Sequence, residues 1–181
     1  MKKTLLVTLD YAPNIGGVAK YNQQIADSFA NDELIVLTSV MGEGSKNVIR
    51  KKLLFKFFWP RWVKGIFTIY RTYKKHNCKQ IYVSEVLPIG TMVYYLHKVF
   101  GIPYILQAHG MDLLQASSRP RKKELAKKII HAARAVVVNS QHVQKLLSYN
   151  YNRDDGIIVY PVPAEYPAAD SVVARALVKK H

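Results

Sequence analysis

The chain has 181 residues, 49% of them hydrophobic and 11% aromatic, which suits one domain with a substantial core and is too little for two of ordinary size. The apolar residues fall in periodic runs, which excludes a disordered chain. A formal net charge of +15, from 27 Lys+Arg against 12 Asp+Glu, favours an anionic partner: nucleic acid, anionic lipid or a phosphorylated ligand.

Cys78 is the only cysteine, so no intrachain disulfide can form, which suits a reducing cytosol. After Met1-Lys2-Lys3 the apolar run ends at Asp10, too short for a signal peptide, and no small-residue cleavage site follows. No stretch approaches the roughly 20 apolar residues of a spanning helix. The expected location is the cytoplasm, with any membrane contact peripheral.

In chain order, Thr4–Leu9 reads as a buried strand, Asp10–Gly17 as a loop, and Val18–Phe29 as a helix with apolar residues at Val18, Tyr21, Ile25 and Phe29. Leu34–Thr38 is a second strand, and Val48–Phe58 reads equally as a strand pair or a helix start. Pro60 suits the first turn of a helix running to about His76. Then follow a strand at Ile81–Ser84, a helix at Ile89–Phe100, a strand at Pro103–Ala108, a helix at Lys122–Ala132 and a strand at Ala135–Val138. A helix at Ser140–Leu147, capped by Ser140 or Asn139, precedes a last strand at Ile157–Tyr160. Pro161-Val162-Pro163 breaks the pattern, and 164–181 reads as a linker with a short helix at Ser171–Lys180. This alternation predicts an α/β fold, a Rossmann-like parallel sheet with helices on both faces. Residues 1–163 form the domain.

Ligands of such sheets bind beyond the carboxyl ends of the strands. Four loops lie there: Asp10–Gly17, Glu85–Gly90, His109–Asp112 and Asn139-Ser140. In the first, Gly16-Gly17 before a helix is either a tight turn or a place where backbone approaches a phosphate or sugar. In the third, His109-Gly110-Met111-Asp112 sets an imidazole and a carboxylate around a flexible backbone, for structure or for catalysis. No G-x-G-x-x-G or G-x-x-x-x-G-K-[ST] occurs, which disfavours a dinucleotide dehydrogenase and excludes a P-loop NTPase. His76, His97, His131, His142 and His181 lack metal-ligand spacing, and no G-x-S-x-G elbow is present, so neither a zinc site nor a Ser-His-Asp hydrolase is expected. No residue pattern asks for a cofactor.

These markers, in their order and spacing, resemble the retaining GT-B glycosyltransferases of family 4, which have two facing Rossmann-like domains. The resemblance runs from Lys3 to about Glu165. It rests on Pro13-x-x-Gly16-Gly17-Val18, Leu87-Pro88-Ile89-Gly90, Tyr104–Gln107 leading into His109–Asp112, and Val136–Ser140. It implies an acceptor-binding half, a nucleotide-sugar donor gripped mainly by a second domain beyond this chain, and a glycan or lipid-linked acceptor. By the same resemblance His109 approaches the transferred sugar and Asp112 shapes its loop. Tyr11, Gly16, Gly17, Glu85, Pro88, Gly110, Asn139 and Ser140 are the implied substrate contacts. Pro161-Val162-Pro163 departs from the Asn-Gly pair of many members, and nothing after it matches the second domain, so these residues alone are not expected to catalyse transfer.

Between Gly44 and Ser84 there is no acidic residue. On the helix after Pro60, Arg61, Lys64, Thr68, Arg71 and Lys75 share one face while Trp62, Ile66, Ile69 and Tyr73 line another. That is either a solvated face over a packed one or, with Lys56 and Trp59 nearby, a surface for anionic membranes. A second basic run spans Arg119 to Lys128. The charge also fits nucleic acid, but no helix-turn-helix, RRM or zinc-finger signature is present. A stand-alone binding or regulatory module of transferase descent is the remaining alternative.

Overall fold

The computed structural model describes residues 2–30, 33–43, 46–56 and 59–162. Within them, β1 (Thr4–Thr8) and β2 (Leu34–Thr38) are buried at every position, the pattern of strands covered on both faces. With β3 (Val48–Arg50), β4 (Gln80–Val83), β5 (Tyr104–Ala108), β6 (Ala135–Val138) and β7 (Ile157–Ile158) they form one sheet, every pairing parallel. The spatial order is β3-β2-β1-β4-β5-β6-β7. The chain therefore steps outward from β1 to β3, crosses back, and lays β4 against the free side of β1, with Val7 opposite Val83. Strand order reverses between β1 and β4.

Side chains of each strand alternate between two cores. Leu6, Val36, Tyr82 and Val137 meet Ile25, Ala26 and Phe29 of α1 (Gly17–Asp27) on one face. Leu5, Val7, Ile81, Val83, Leu106 and Val136 face the larger core. That core is covered by α2 (Val63–Lys75), α3 (Ile89–Phe100), α4 (Gly110–Ser117), α5 (Pro120–Ala132) and α6 (Gln141–Tyr151). Helices thus lie on both faces, as the alternation implied. Gly65 lets α2 sit close: a Cβ there would collide with the Leu53 carbonyl oxygen and the Met92 Sδ. Ser140 caps α6 through Oγ, which accepts from the Val143 N–H at 3.3 Å.

Three local expectations change. Of Val48–Phe58, the described residues, 48–56, hold only the three-residue β3, with coil after it through Lys56. The helix after Pro60 starts at Val63, because Arg61 and Trp62 form a turn. His109–Asp112 is not a flexible loop: α4 begins at Gly110, one residue beyond the end of β5 plus its cap. The linker and the Ser171–Lys180 helix lie outside the described residues, as does Pro163. Among the described residues no helix is long and apolar enough to cross a membrane.

Candidate active site

The reversal between β1 and β4 opens a crevice at the carboxyl ends of the strands, where the chain splays to either side. Its floor is a polar network built on Asn22, a fully buried side chain of α1. Asn22 Nδ2 donates to Thr8 Oγ1 at 3.0 Å and to the Asp10 carbonyl at 2.8 Å. Its Oδ1 accepts from Ser84 Oγ at 2.7 Å and from Gln107 Nε2 at 3.4 Å. One helix residue so ties the ends of β1, β4 and β5 together. Thr8 Oγ1 lies 2.8 Å from Glu85 Oε1, which also accepts the Leu9 N–H at 3.0 Å. Interlocked buried hydrogen bonds of this kind rigidify the groups above them.

His109 stands on that floor, 8% exposed. Its backbone N–H donates to Asp112 Oδ1 at 2.8 Å, and the Val86 N–H donates to Asp112 Oδ2 at 3.1 Å. Asp112 therefore starts α4 and fastens the β5 end to the β4 loop with one carboxylate. The imidazole Nε2 lies 2.8 Å from Gln107 Nε2, and Tyr21 meets the ring edge-on, centroids 6.1 Å apart. With the amide in this orientation Nε2 accepts and the ring proton sits on Nδ1; the opposite orientation reverses the two roles, gives the buried Gln107 Oε1 a partner and frees Nδ1 to accept the Asp112 N–H in a capping box. Tyr21 is itself held by its hydroxyl, which donates to the Val159 carbonyl at 2.7 Å.

Burial sets the charge states. It lowers the His109 pKa to about 4 against a weaker upward pull from Asp10, so the ring is neutral at physiological pH. It pushes Glu85 up to about 7; the hydrogen bonds from Thr8 and Leu9 oppose this, and the charges of Asp112 and Asp10 add to it. Asp112 is likewise raised by burial to about 7, opposed by amide donors from Val86, His109 and Leu113. Glu85 Oε2 is enclosed with no hydrogen-bond partner among the described residues.

Above this floor α1 starts at Gly17, and Gly16 at its N-cap offers no side-chain cap. A Cβ at Gly17 would meet nothing within 4 Å, and one at Gly16 only Asp10 Oδ2 at 3.8 Å. Packing inside the chain does not demand these glycines; they leave open space over exposed helix amides, which suits an anionic or hydroxyl-rich ligand. Beside Asp112 a cavity of about 330 Å³ opens between Trp62, Leu87, Pro88, Gln115, Lys122 and Leu125. Among the described residues no three His, Cys, Asp or Glu side chains group as metal ligands. The crevice therefore offers a neutral imidazole, a carboxyl titrating near neutrality and bare helix amides, a set for gripping hydroxyls and phosphate.

The model of Glycosyltransferase Family 4 matches residues 15–161, which carry the crevice apart from the end of β1. The chain belongs to glycosyltransferase family 4. Solved structures share the fold of this transferase domain. Anabaena HepE in complex with UDP and glucose is 17% identical over 98% of this chain and 50% of its own, with a TM-score of 0.68. HepE in complex with UDP-glucose is 16% identical over 97% and 50%, TM-score 0.70. Sucrose-phosphate synthase from Thermosynechococcus elongatus is 16% identical over 98% and 97%, TM-score 0.57. The transferase domain thus spans about half the length of the HepE chains. No curated protein sequence matches it.

The predicted residues of the transferase domain divide. His109, Asp112, Gly110, Glu85, Gly16 and Gly17 fall on the crevice loops, and Pro88 lines the adjoining cavity with Asp112. Ser140 spends its hydroxyl on capping α6, while Asn139 Oδ1 is buried without a partner among the described residues. Tyr11 lies apart from the others, its ring buried and lining a separate cavity with Asp27, Phe29 and Val48. Lys56, Trp59, Arg61, Lys64, Arg71 and Lys75 are all exposed. The apolar face assigned to their helix is not: Ile69 is fully buried and Trp62 stacks on Tyr95 at 5.4 Å, so α3 and the core occupy it. Thr8, Asn22, Ser84 and Gln107 were not anticipated, nor was Arg50. Its Nη1 donates to the carbonyls of Ala12 and Val40 at 3.0 and 2.9 Å and fixes the first loop.

Proposed function

We propose that this domain is the acceptor-side wall of a transferase that moves a sugar from a nucleotide-sugar donor to a glycan or lipid-linked acceptor. The observation that carries the reading is His109. A neutral imidazole is held between Gln107 and Tyr21 at the reversal of strand order, on a backbone pinned by Asp112. A ring so placed hydrogen-bonds a sugar hydroxyl without a charge to neutralise, and positioned donors of this type act where charge develops during transfer. The open helix end at Gly16-Gly17 fits the donor phosphates or the acceptor. That HepE structures hold UDP and UDP-glucose supports a nucleotide-sugar donor. Residues 1–163 form the acceptor half on this reading, and the segment after them leads to a nucleotide-sugar domain without which transfer does not occur. The basic surface fits work at an anionic membrane face in glycolipid or polysaccharide assembly.

Transfer of labelled sugar from a panel of nucleotide sugars tests this, with the complete gene product and the 181-residue chain assayed side by side. Transfer by the first alone is expected. Acceptor binding with no transfer by either would replace the enzyme with a binding module of transferase descent.

A further inference from the structure

The innermost side of α2, at Gly65, Ile69 and Thr72, is occupied, yet its flank toward α3 leaves an apolar surface open. Between α2 and α3 runs a groove of about 280 Å³ lined by Trp62, Ile66, Tyr95, Leu96, Val99 and Phe100. Two stacked pairs close its floor, Trp62 on Tyr95 and Tyr70 on Phe100 at 4.5 Å. Val99 and Phe100 remain 68% and 53% exposed. On α2, Val63 and Phe67 lie one turn apart on the flank beside this groove, and Phe67 is 60% exposed. Trp59, just ahead of the helix, is 93% exposed. Exposed large apolar residues scattered singly are ordinary; a contiguous aromatic strip on one edge marks an interaction site.

A cationic rim surrounds the strip. Arg71 and Lys75 follow Phe67 around α2, and Lys74 and Lys98 sit over the Tyr70 and Tyr94 rings at 6.0 and 5.9 Å. Between Glu43 and Asp112 the sequence has one acidic residue, Glu85, and it is committed to the crevice floor. No anion in this region offsets the rim.

We propose that the α2/α3 edge is a docking surface for an anionic lipid bilayer. In it Trp59, Val63, Phe67, Val99 and Phe100 enter the headgroup boundary while Arg71, Lys74, Lys75 and Lys98 contact lipid phosphates. Aromatic and aliphatic side chains that partition into the interface, ringed by snorkelling cations, match such a surface in both polarity and charge. A second copy of this chain does not fit, since two such edges would bring like-charged rims together. The strip keeps Trp62 and Ile66 of the apolar face outlined by the sequence, loses Ile69 to the core and adds Val63 and Phe67 on the outer flank. The inference rests on the membrane reading proposed above and deepens it by naming the docking surface; it does not depend on sugar transfer.

The test uses the purified protein with vesicles of phosphatidylcholine alone or mixed with phosphatidylglycerol. Trp59 and Trp62 are its only tryptophans, and both border the strip, so intrinsic fluorescence reports insertion directly. Expected are pelleting at least about ten-fold stronger with the anionic vesicles, weakening at high salt, and a blue shift of tryptophan emission. Phe67→Glu with Val99→Glu should cut pelleting about ten-fold and abolish the shift, and Arg71→Glu with Lys75→Glu should cut pelleting similarly, with thermal midpoints unchanged in both. Equal pelleting with both lipids, none with either, or binding indifferent to Phe67→Glu with Val99→Glu overturns the proposal. So does anionic-vesicle binding without the blue shift, or binding abolished by an equimolar RNA while the apolar variants still bind.

Discussion

Glu85 reaches the crevice from β4, accepts two hydrogen bonds on one oxygen and has none on the other. Its pKa in the folded chain, about 7, lies above the ordinary 4.5, so the native state holds this proton more tightly than the unfolded chain does. Stability from this group is complete below pH 4.5 and is lost as pH rises through 7. His109 works the other way over pH 4 to 6.5, since its neutral form is favoured on folding. Glu85→Gln removes only the first effect. Denaturant midpoints at pH 5 and pH 8 should therefore show a smaller loss toward pH 8 in the variant than in the parent. An equal loss in both would mean that Glu85 is not the titrating group. At this scale the sequence made His109, Asp112 and Glu85 legible because each follows the apolar run of a strand. Asn22 was not, because one polar residue on a helix looks solvated until the strand ends it ties are known. Gln107 hid inside an apolar strand for the same reason.

Elements were legible where periodicity was long and boundaries carried punctuation. The strands β1, β2, β5 and β6 sit within a residue of their expected places, and Gly101, at φ +65°, ends α3 where the helix pattern stopped. α4 was missed: it is short, and glycine opens it. What starts α4 is Asp112, whose carboxylate returns to the His109 N–H, a contact with no serine or threonine cap to announce it. The position of α2 was expected, and so was its packed face, since Ile69 is buried and Trp62, Ile66 and Tyr73 pack against the same core; how closely it sits was not. Gly65 decides it by bringing the helix against Leu53 and Met92. Gly65→Ala should lower the unfolding free energy by about 1–3 kcal/mol, because the neighbour on one side is backbone and cannot yield. Denaturation at constant m-value would check this; an unchanged midpoint would mean that α2 shifts freely and does not define the edge.

For the whole molecule, alternation alone implied a parallel sheet with helices on both faces, and composition implied one domain. Neither specified that β4 lies beside β1, and that placement creates the crevice: it brings Thr8 to Glu85 across 77 residues of chain. The family match makes the domain a glycosyltransferase family 4 unit, and the fold it shares with HepE spans half of that chain. The role proposed for His109 is sugar transfer in this crevice. Its most direct test is the transfer rate of the complete gene product carrying His109→Ala against the parent, with thermal midpoints recorded for both. A fall in kcat of about 100-fold or more at an unchanged midpoint is predicted. Undiminished transfer by the variant would contradict the account and reduce His109 to a buried packing residue.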